Sequence, residues 1–260
     1  MNAPDRTFQP NVLITKDEFR ARAYACYVTG FKQTVATSHA EDSASAVRYR
    51  RYLRRRLTPW LKSIPRTAVV ADLGCGDGML LRMFQELGFT DLHGVEGSKE
   101  MWKLCQEHFP KVKSGDLRDY LRKNVGAFDL IVLFDVLEHF TREEAVGLLD
   151  EIHAALHPGG WLLLQLPNGD SPFADGVFAA DVTHEALYTR GSLGHLLAIG
   201  GFDLAQVEEH SPEPTDFRSL IRWTGWKFMR ALISLAHRME TGGTSSGVYT
   251  RVMRALARKR

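Results

Sequence analysis

The 260-residue chain carries 33 Lys and Arg against 31 Asp and Glu, a net charge of +2, and is 44% hydrophobic and 25% charged. That composition lies near globular averages and excludes a disordered or collagen-like chain, and no apolar run approaches the ~20 residues needed to cross a bilayer. The charge balance itself decides nothing about partners. Met1–Arg6 lack the charged-then-apolar pattern of a secretory leader, so a cytoplasmic protein folded as a single domain over residues 1–260 is expected. Cys26, Cys75 and Cys105 have no metal or disulfide spacing, which suits a reducing compartment.

In chain order, Phe19, Tyr24, Tyr27 and Phe31 stand at spacings compatible with a helical cap within residues 1–45. Arg48 to Arg56 then holds six arginines interleaved with Tyr49, Tyr52 and Leu53. This stretch reads either as a solvated helix face or as one whose guanidinium groups meet phosphate or acidic sugar. An apolar run near 68–73 breaks at Asp72 into Gly74, Gly76 and Gly78, the pattern of a strand, a tight turn and a helix start. Glycines there accept positive φ and leave no Cβ between the main chain and a ligand, while the helix start offers free N–H groups, so a nucleotide-like guest is expected. The spacing is G-x-G-x-G, whereas flavin and nicotinamide enzymes usually show G-x-G-x-x-G.

A second strand near 91–96 ends at Glu96, where a carboxylate can accept hydrogen bonds from both hydroxyls of a ribose. Strands near 111–114, 128–135 and 160–167 follow, separated by helical patterns near 77–88, 98–108, 117–124 and 141–156. The alternation predicts an α/β fold, a parallel sheet with helices on both faces. Gly200 and Gly201 end a helix before a sixth strand at 202–209. Residues 211–247 read as a helical insertion, with Ile221, Phe228, Met229, Leu232, Ile233, Leu235 and Ala236 on one side of a helix and Lys227, Arg230, His237 and Arg238 on the other. Such a helix suits a pocket cover, a homodimer contact or a peripheral membrane contact through 220–238.

Five motifs in order resemble those of the class I S-adenosylmethionine-dependent methyltransferases: D-L-G-C-G-D-G at Asp72–Gly78, the acid at Glu96, G-D-L at Gly115–Leu117, D-V-L-E-H at Asp135–His139, and Leu156–Gly160. The resemblance covers about residues 45 to 210. It implies a Rossmann-like, seven-stranded, mostly parallel sheet with an antiparallel last strand at 248–257, and S-adenosyl-L-methionine as cofactor with S-adenosyl-L-homocysteine as product. By the family pattern, Asp72, Gly74, Cys75 and Gly76 meet the methionine part, Glu96 the ribose, and Asp116 and Leu117 the adenine, with Gly97 also at the cofactor and Phe134 closing the site.

A hydroxyl acceptor needs a base, since alcohol oxygens are protonated at neutral pH. Candidates are His139, beside Glu138 after the fourth strand, and Asp181 and His184 in the long connection 167–188, which also carries Asp170 and Tyr188. Against catalysis, Asp181 and Thr183 would cap a following helix, and His139 would be a hydrogen-bonded core histidine. The segment Asp135–His139 also looks like the E-x-x-E-H stretch of quinone-pathway O-methyltransferases, some of which use a divalent ion. One imidazole among oxygens suits magnesium or manganese. The same stretch occurs in metal-free methyltransferases, and no metal is assigned.

The arginine–aromatic run, Leu166–Asn168, Asp181-x-Thr183-His184-Glu185 and Ser192 through Phe202 together resemble bacterial methyltransferases of surface polysaccharide synthesis. A sugar hydroxyl of a lipopolysaccharide, capsule or exopolysaccharide precursor is the implied acceptor, with the protein at the inner face of the membrane. A quinone or other small hydroxylated metabolite is the alternative, and a non-catalytic cofactor-binding scaffold is the reading from another class. A nucleic-acid acceptor is not expected, because no N/D-P-P-Y/F motif follows the fourth strand.

Overall fold

A computed structural model describes residues 14–25 and 44–260. The chain divides into two units, Met1–Thr37 and Ser38–Arg260. In the first, helix α1 (Lys16–Ala25) falls within the segment expected to be a helical cap and carries Phe19. Cys26, Tyr27 and Phe31 lie outside the described residues.

The second unit is built on a seven-stranded sheet in the order β3-β2-β1-β4-β5-β7-β6. Its strands are β1 (Val69–Leu73), β2 (Asp91–Glu96), β3 (Val112–Ser114), β4 (Phe128–Phe134), β5 (Leu156–Pro167), β6 (Phe202–Glu209) and β7 (Val252–Lys259). All neighbours pair in parallel except β7, which runs antiparallel to both β5 and β6. Apolar runs such as Leu130–Leu133 and Leu162–Leu164 are buried throughout, as strands covered on both faces must be. Helices α2 (Ala44–Leu57), α3 (Met79–Glu86) and α4 (Lys99–Gln106) cover one face, where Leu53, Leu57, Leu81, Phe84 and Cys105 pack on Val70, Leu130 and Leu163. On the other face α5 (Leu117–Arg122), α6 (Arg142–Ala155) and α8 (Arg190–Ile199) bring Leu121, Leu148, Ile152, Leu193 and Leu197 onto Ile131, Leu133 and Leu162. A short α7 (Asp175–Phe178) lies in the connection after β5, and α9 (Phe217–Thr241) fills the expected insertion.

Two boundaries differ from expectation. The last strand begins at Val252 rather than residue 248, because the buried side chain of Asn168 holds the entering chain: its Nδ2 donates to the carbonyls of Val248 (3.0 Å) and Thr250 (2.8 Å), displacing ladder pairing there. β5 begins at Leu156 rather than near 160, with a register shift against β4 between Phe128 and Leu130 that accommodates the Pro158–Gly160 turn residues inside the strand. The strand order reverses between β1 and β4, which opens a crevice at the carboxyl edge of the sheet where ligands bind in open α/β folds.

Candidate active site

At the β1 end of that crevice, Gly74 (φ 75°), Gly76 (φ 57°) and Gly78 (φ 86°) all adopt left-handed conformations. A Cβ on Gly74 would lie 2.8 Å from Val136 Cγ2, and one on Gly78 would lie 2.9 Å from Cys105 Sγ, so the turn admits only glycine at both places. Gly74 N and Cys75 N donate to the Val95 carbonyl at 2.8 and 3.2 Å, which ties the loop to β2. Glu96, at the end of β2, accepts from Gly76 N (2.8 Å) and Ser98 N (2.7 Å), one through each carboxylate oxygen. Each oxygen keeps a second lone pair for a hydroxyl.

Asp72 tests whether the crevice fits a cationic guest. Its side chain is buried, Oδ2 has no hydrogen-bond partner, and burial, with the charges of Glu96 and Asp77 added, pushes its carboxyl up to about 8. An orphaned buried carboxylate oxygen is costly unless a donor meets it. The ammonium of a methionine moiety is such a donor, so the residues present fit S-adenosylmethionine. On the adenine side, Asp116 caps α5, its Oδ1 accepting from Arg118 N (2.8 Å) and Asp119 N (3.0 Å). Leu117, the first residue of that helix, has an N–H without an intrahelical acceptor by helix geometry. Phe134 ends β4, partly buried against the α2–α4 side of the core. Cys75 is a free buried thiol 3.9 Å from Cys105 Sγ, and that hydrogen bond together with burial pushes its pKa up, so it contributes backbone rather than reactivity.

The acid and imidazole candidates from distant stretches converge beyond β4. Glu138 and His139 sit on a 3₁₀ turn, Leu137–His139, and the Glu138 carbonyl accepts from Glu185 N (2.7 Å) and Ala186 N (3.1 Å), pinning the long connection to it. His184 Nδ1 lies 2.8 Å from the Phe178 carbonyl, so Nδ1 carries the hydrogen and the neutral ring presents Nε2 as the basic atom, 4.0 Å from Glu138 Oε1. His139 Nδ1 lies 2.8 Å from Thr183 Oγ1, whose own hydrogen goes to Asp181 Oδ1 at 2.6 Å. Burial, then the neighbouring His184, lowers the pKa of His139 and keeps it neutral; burial raises the Glu138 carboxyl far above the ordinary range.

Asp181 is therefore a supporter of His139 rather than a helix cap. It closes an Asx turn on Thr183 N (2.9 Å), and the next helix, α8, is capped by Thr189 instead. Asp170 is also spoken for, its Oδ2 accepting from Arg190 N at 2.9 Å.

Sequence reasoning passed over Asp135 as a site residue. It is the one non-glycine residue with positive φ (53°) among the described residues; it is exposed at the end of β4, yet the protein packed around its carboxyl desolvates it and pushes it up to about 6. Gln165 Nε2 donates to its Oδ2 at 3.0 Å, and the Tyr49 hydroxyl lies 3.2 Å from Gln165 Oε1. Strain held in place by packing is a mark of functional positions. The signal available in sequence was its place at the strand end, but not its φ. Tyr49 and Tyr52 from α2 stack with His210, at 5.6 and 4.5 Å, and Arg254, fully buried on β7, donates to the Tyr52 hydroxyl (2.9 Å) and pairs with Glu208 (2.8 Å). The arginine run does not offer a free cationic face: Arg50 and Arg54 pair with Glu86, Arg55 with Glu213 and Arg56 with Glu208.

Glu138, His139 and His184 place three ligand atoms within 4.8 Å of one another. The second imidazole, from His184, was not foreseen as a ligand, and two nitrogens with one carboxylate suit a borderline ion such as zinc or manganese better than magnesium. An ion held there would take up His184 Nε2 and supply Lewis-acid chemistry toward a bound hydroxyl in place of that atom's service as a base.

A family model described as a methyltransferase domain matches residues 46–207. Among curated proteins, the chain is 34% identical over 117 residues to the tRNA (carboxymethyluridine(34)-5-O)-methyltransferase of Macaca fascicularis, covering 42% of this chain and 17% of that protein. It is 32% identical over 111 residues to the mitochondrial ubiquinone biosynthesis O-methyltransferase of Candida albicans, covering 39% and 33%. It is 26% identical over 154 residues to the dTDP-3-amino-3,4,6-trideoxy-alpha-D-glucopyranose N,N-dimethyltransferase of Streptomyces venezuelae, covering 58% and 64%. The chain spans less than two thirds of the length of each of these relatives. In fold it resembles a SAM-dependent methyltransferase from Archaeoglobus fulgidus (TM-score 0.62, 21% identity, 81% of this chain and 94% of that one). It also resembles the magnesium protoporphyrin IX methyltransferase of Synechocystis with bound S-adenosylhomocysteine (TM-score 0.58, 16% identity, 95% and 100%).

Proposed function

The chain belongs to the methyltransferase domain family and is an S-adenosylmethionine-dependent enzyme, and from that premise we propose that it methylates a hydroxyl oxygen of a sugar in a bacterial surface glycan or its precursor. The observation that carries O-methylation is the His184 imidazole, whose Nδ1 is held by the Phe178 carbonyl so that Nε2 is the basic atom at the carboxyl edge of the sheet. Bound S-adenosylmethionine supplies a methyl group already activated by its sulfonium, so the protein has to orient the acceptor and remove its proton.

Asp72 and the backbone of Gly74, Cys75 and Gly76 hold the methionine part, Glu96 and Gly97 the ribose, and Asp116 and Leu117 the adenine. His184 Nε2 takes the hydroxyl proton, with the buried Glu138 carboxyl 4.0 Å away. Asp181 and Thr183 fix the His139 ring, which packs beside His184 with ring centroids 4.9 Å apart.

A cavity of about 890 Å³ lies between the end of β6 and α9; it shares no lining residue with the His184 cluster or the cofactor crevice, and it supports a glycan acceptor as a place for a part of the substrate remote from the reacting hydroxyl. Its walls are polar, with Arg190, Lys227, Glu208 and Glu213 around the indole of Trp223, a surface on which a hydroxylated ring can both stack and hydrogen-bond. The likeness to an amino-sugar methyltransferase accords with it. A tRNA acceptor is disfavoured because four of the six arginines in the α2 run are already paired with carboxylates. A quinone precursor is the second reading, favoured by the likeness to the ubiquinone enzyme. We place the reaction in the cytoplasm, a reducing compartment that suits cysteines without metal or disulfide spacing.

Transfer of labelled methyl to nucleotide sugars, lipid-linked glycans and quinone precursors tests the assignment. Label on a sugar hydroxyl that falls about 100-fold or more in His184→Gln, with S-adenosylhomocysteine affinity unchanged, is the expected result. Label on the quinone precursor alone would replace the sugar reading, and full activity in His184→Gln would remove that residue from the mechanism.

A further inference from the structure

The 25-residue helix α9 has two unlike sides. Its inner side rests on the body of the protein: Trp226 Nε1 donates to Glu209 Oε1 (3.3 Å), and Arg230 pairs with Glu209 (3.2 Å) and donates to the Gly247 carbonyl (2.7 Å). The opposite side carries Phe217, Ile221, Phe228, Leu232, Leu235 and Met239, which are between 43% and 79% exposed. Their spacings of four, seven, four, three and four residues put all six in one stripe along the axis. At about 100° per residue, Arg218 and Arg222 fall on one shoulder of this stripe and Lys227 and Arg238 on the other. Among the described residues no ion pair engages these four cations, and Glu240 is the single acid in the helix.

We propose that α9 lies in the interface of an anionic lipid membrane, with the apolar stripe among the acyl chains and the basic shoulders at the headgroups. A wide apolar face bordered on both sides by cations is the pattern of interfacial helices, and no helix among the described residues is long and apolar enough to cross a membrane. Charge argues against a second copy as the occupant. Packing this face on its own copy would bring cationic shoulders against cationic shoulders, whereas anionic headgroups complement both at once. Trp223, Lys227 and Arg230 line the cavity described above, so docking would set that cavity about one helix diameter, roughly 10 Å, from the lipid surface. The proposal does not depend on which acceptor the enzyme uses.

Co-sedimentation of the full chain with phosphatidylcholine vesicles, with or without about 30 mol% phosphatidylglycerol, tests it. Expected is binding to the anionic vesicles that weakens with salt, is much weaker on neutral ones, and falls at least tenfold in Phe228→Ser/Leu235→Ser. That variant leaves the inner contacts of α9 intact, and undiminished S-adenosylhomocysteine binding will confirm that it is folded. No binding to anionic vesicles, or equal binding by the variant, would overturn the proposal. A dimer that the same double substitution dissociates, without vesicle binding, would overturn it in favour of a second copy.

Discussion

If Asp72 receives the cofactor's ammonium as proposed, cofactor binding depends on pH, and the sign follows from its burial. Its carboxyl is raised from 3.8 to about 8, so at pH 7 about one molecule in ten of the ligand-free protein has it ionised, and about one in a hundred at pH 6. A bound ammonium requires the ionised form. Affinity for S-adenosylhomocysteine, which follows the product of ionised carboxyl and protonated ligand amine, should therefore rise about eightfold from pH 6 to 7 and about threefold more to pH 8. It should then fall as the ligand's own α-amino group, with a pKa near 8, loses its charge. Binding at pH 7 should release close to one proton, read from the dependence of the calorimetric enthalpy on buffer ionisation heat. Asp72→Asn should abolish the acid limb and weaken binding at pH 8 by about 10- to 100-fold, the worth of a charge-assisted hydrogen bond.

The same shift acts on stability in the opposite sense. Between pH 4 and 8 the folded protein holds a proton that the unfolded chain has lost, so stability falls by about 1.4 kcal/mol per unit as pH rises, roughly 4 kcal/mol by pH 7. The ligand-free Asn variant should match the wild type near pH 4 and melt about 10 °C higher at pH 7. A buffer-independent enthalpy with a flat affinity profile would refute the reasoning.

Three further outcomes are expected. Gly74→Ala, which forces a Cβ to within 2.8 Å of Val136 at φ 75°, should cost about 1–3 kcal/mol in chemical denaturation and weaken cofactor binding more than Gly176→Ala, where the space is open. Thr183→Val breaks the link between Asp181 and His139 and should lower kcat about tenfold or more while leaving S-adenosylhomocysteine affinity unchanged, as steady-state kinetics beside calorimetry will show. Glu208→Ala leaves the fully buried Arg254 without its carboxylate and should cost about 3–5 kcal/mol, a fall in Tm of roughly 10 °C by calorimetry.

The sheet was legible because parallel strands buried on both faces read as apolar runs, and because each run ended in a residue with a chemical reason to stand there: Asp72 and its glycines, Glu96, Asp116, Asp135. The crevice between β1 and β4 followed as well, since those residues are local to strand ends and the fold alone brings strand ends together. What stayed illegible depended on contacts between distant segments. Nothing in Leu166–Asn168 announces that the Asn168 amide would hold the carbonyls of Val248 and Thr250 and so delay the last strand. Charge counting read the α2 arginines as a surface, whereas their carboxylates come from as far away as Glu208 and Glu213. Sequence spacing could not show whether Asp181 caps a helix, because the partner that its oxygen reaches through Thr183, His139, is 42 residues away.

The segment Asp135–His139 links the glycine turn to the loop that carries the proposed base, His184. Val136 packs where a side chain on Gly74 would stand, so the position of this segment sets the shape of the cofactor loop. Two residues on, the Glu138 carbonyl accepts from Glu185 N and Ala186 N and so sets the position of the His184 loop. His139 reaches the same loop through Thr183, while Leu137 is buried in the core and anchors the turn. The positive φ at Asp135 makes this two-sided arrangement possible: it turns the chain sharply off β4, so that successive residues face the glycine turn, the core and the long connection in turn. A base for an acceptor hydroxyl must lie within a fraction of an ångström of its working position relative to the methyl donor. On the proposed assignment both are positioned by the single five-residue segment Asp135–His139, through Val136 on one side and the Glu138 carbonyl on the other.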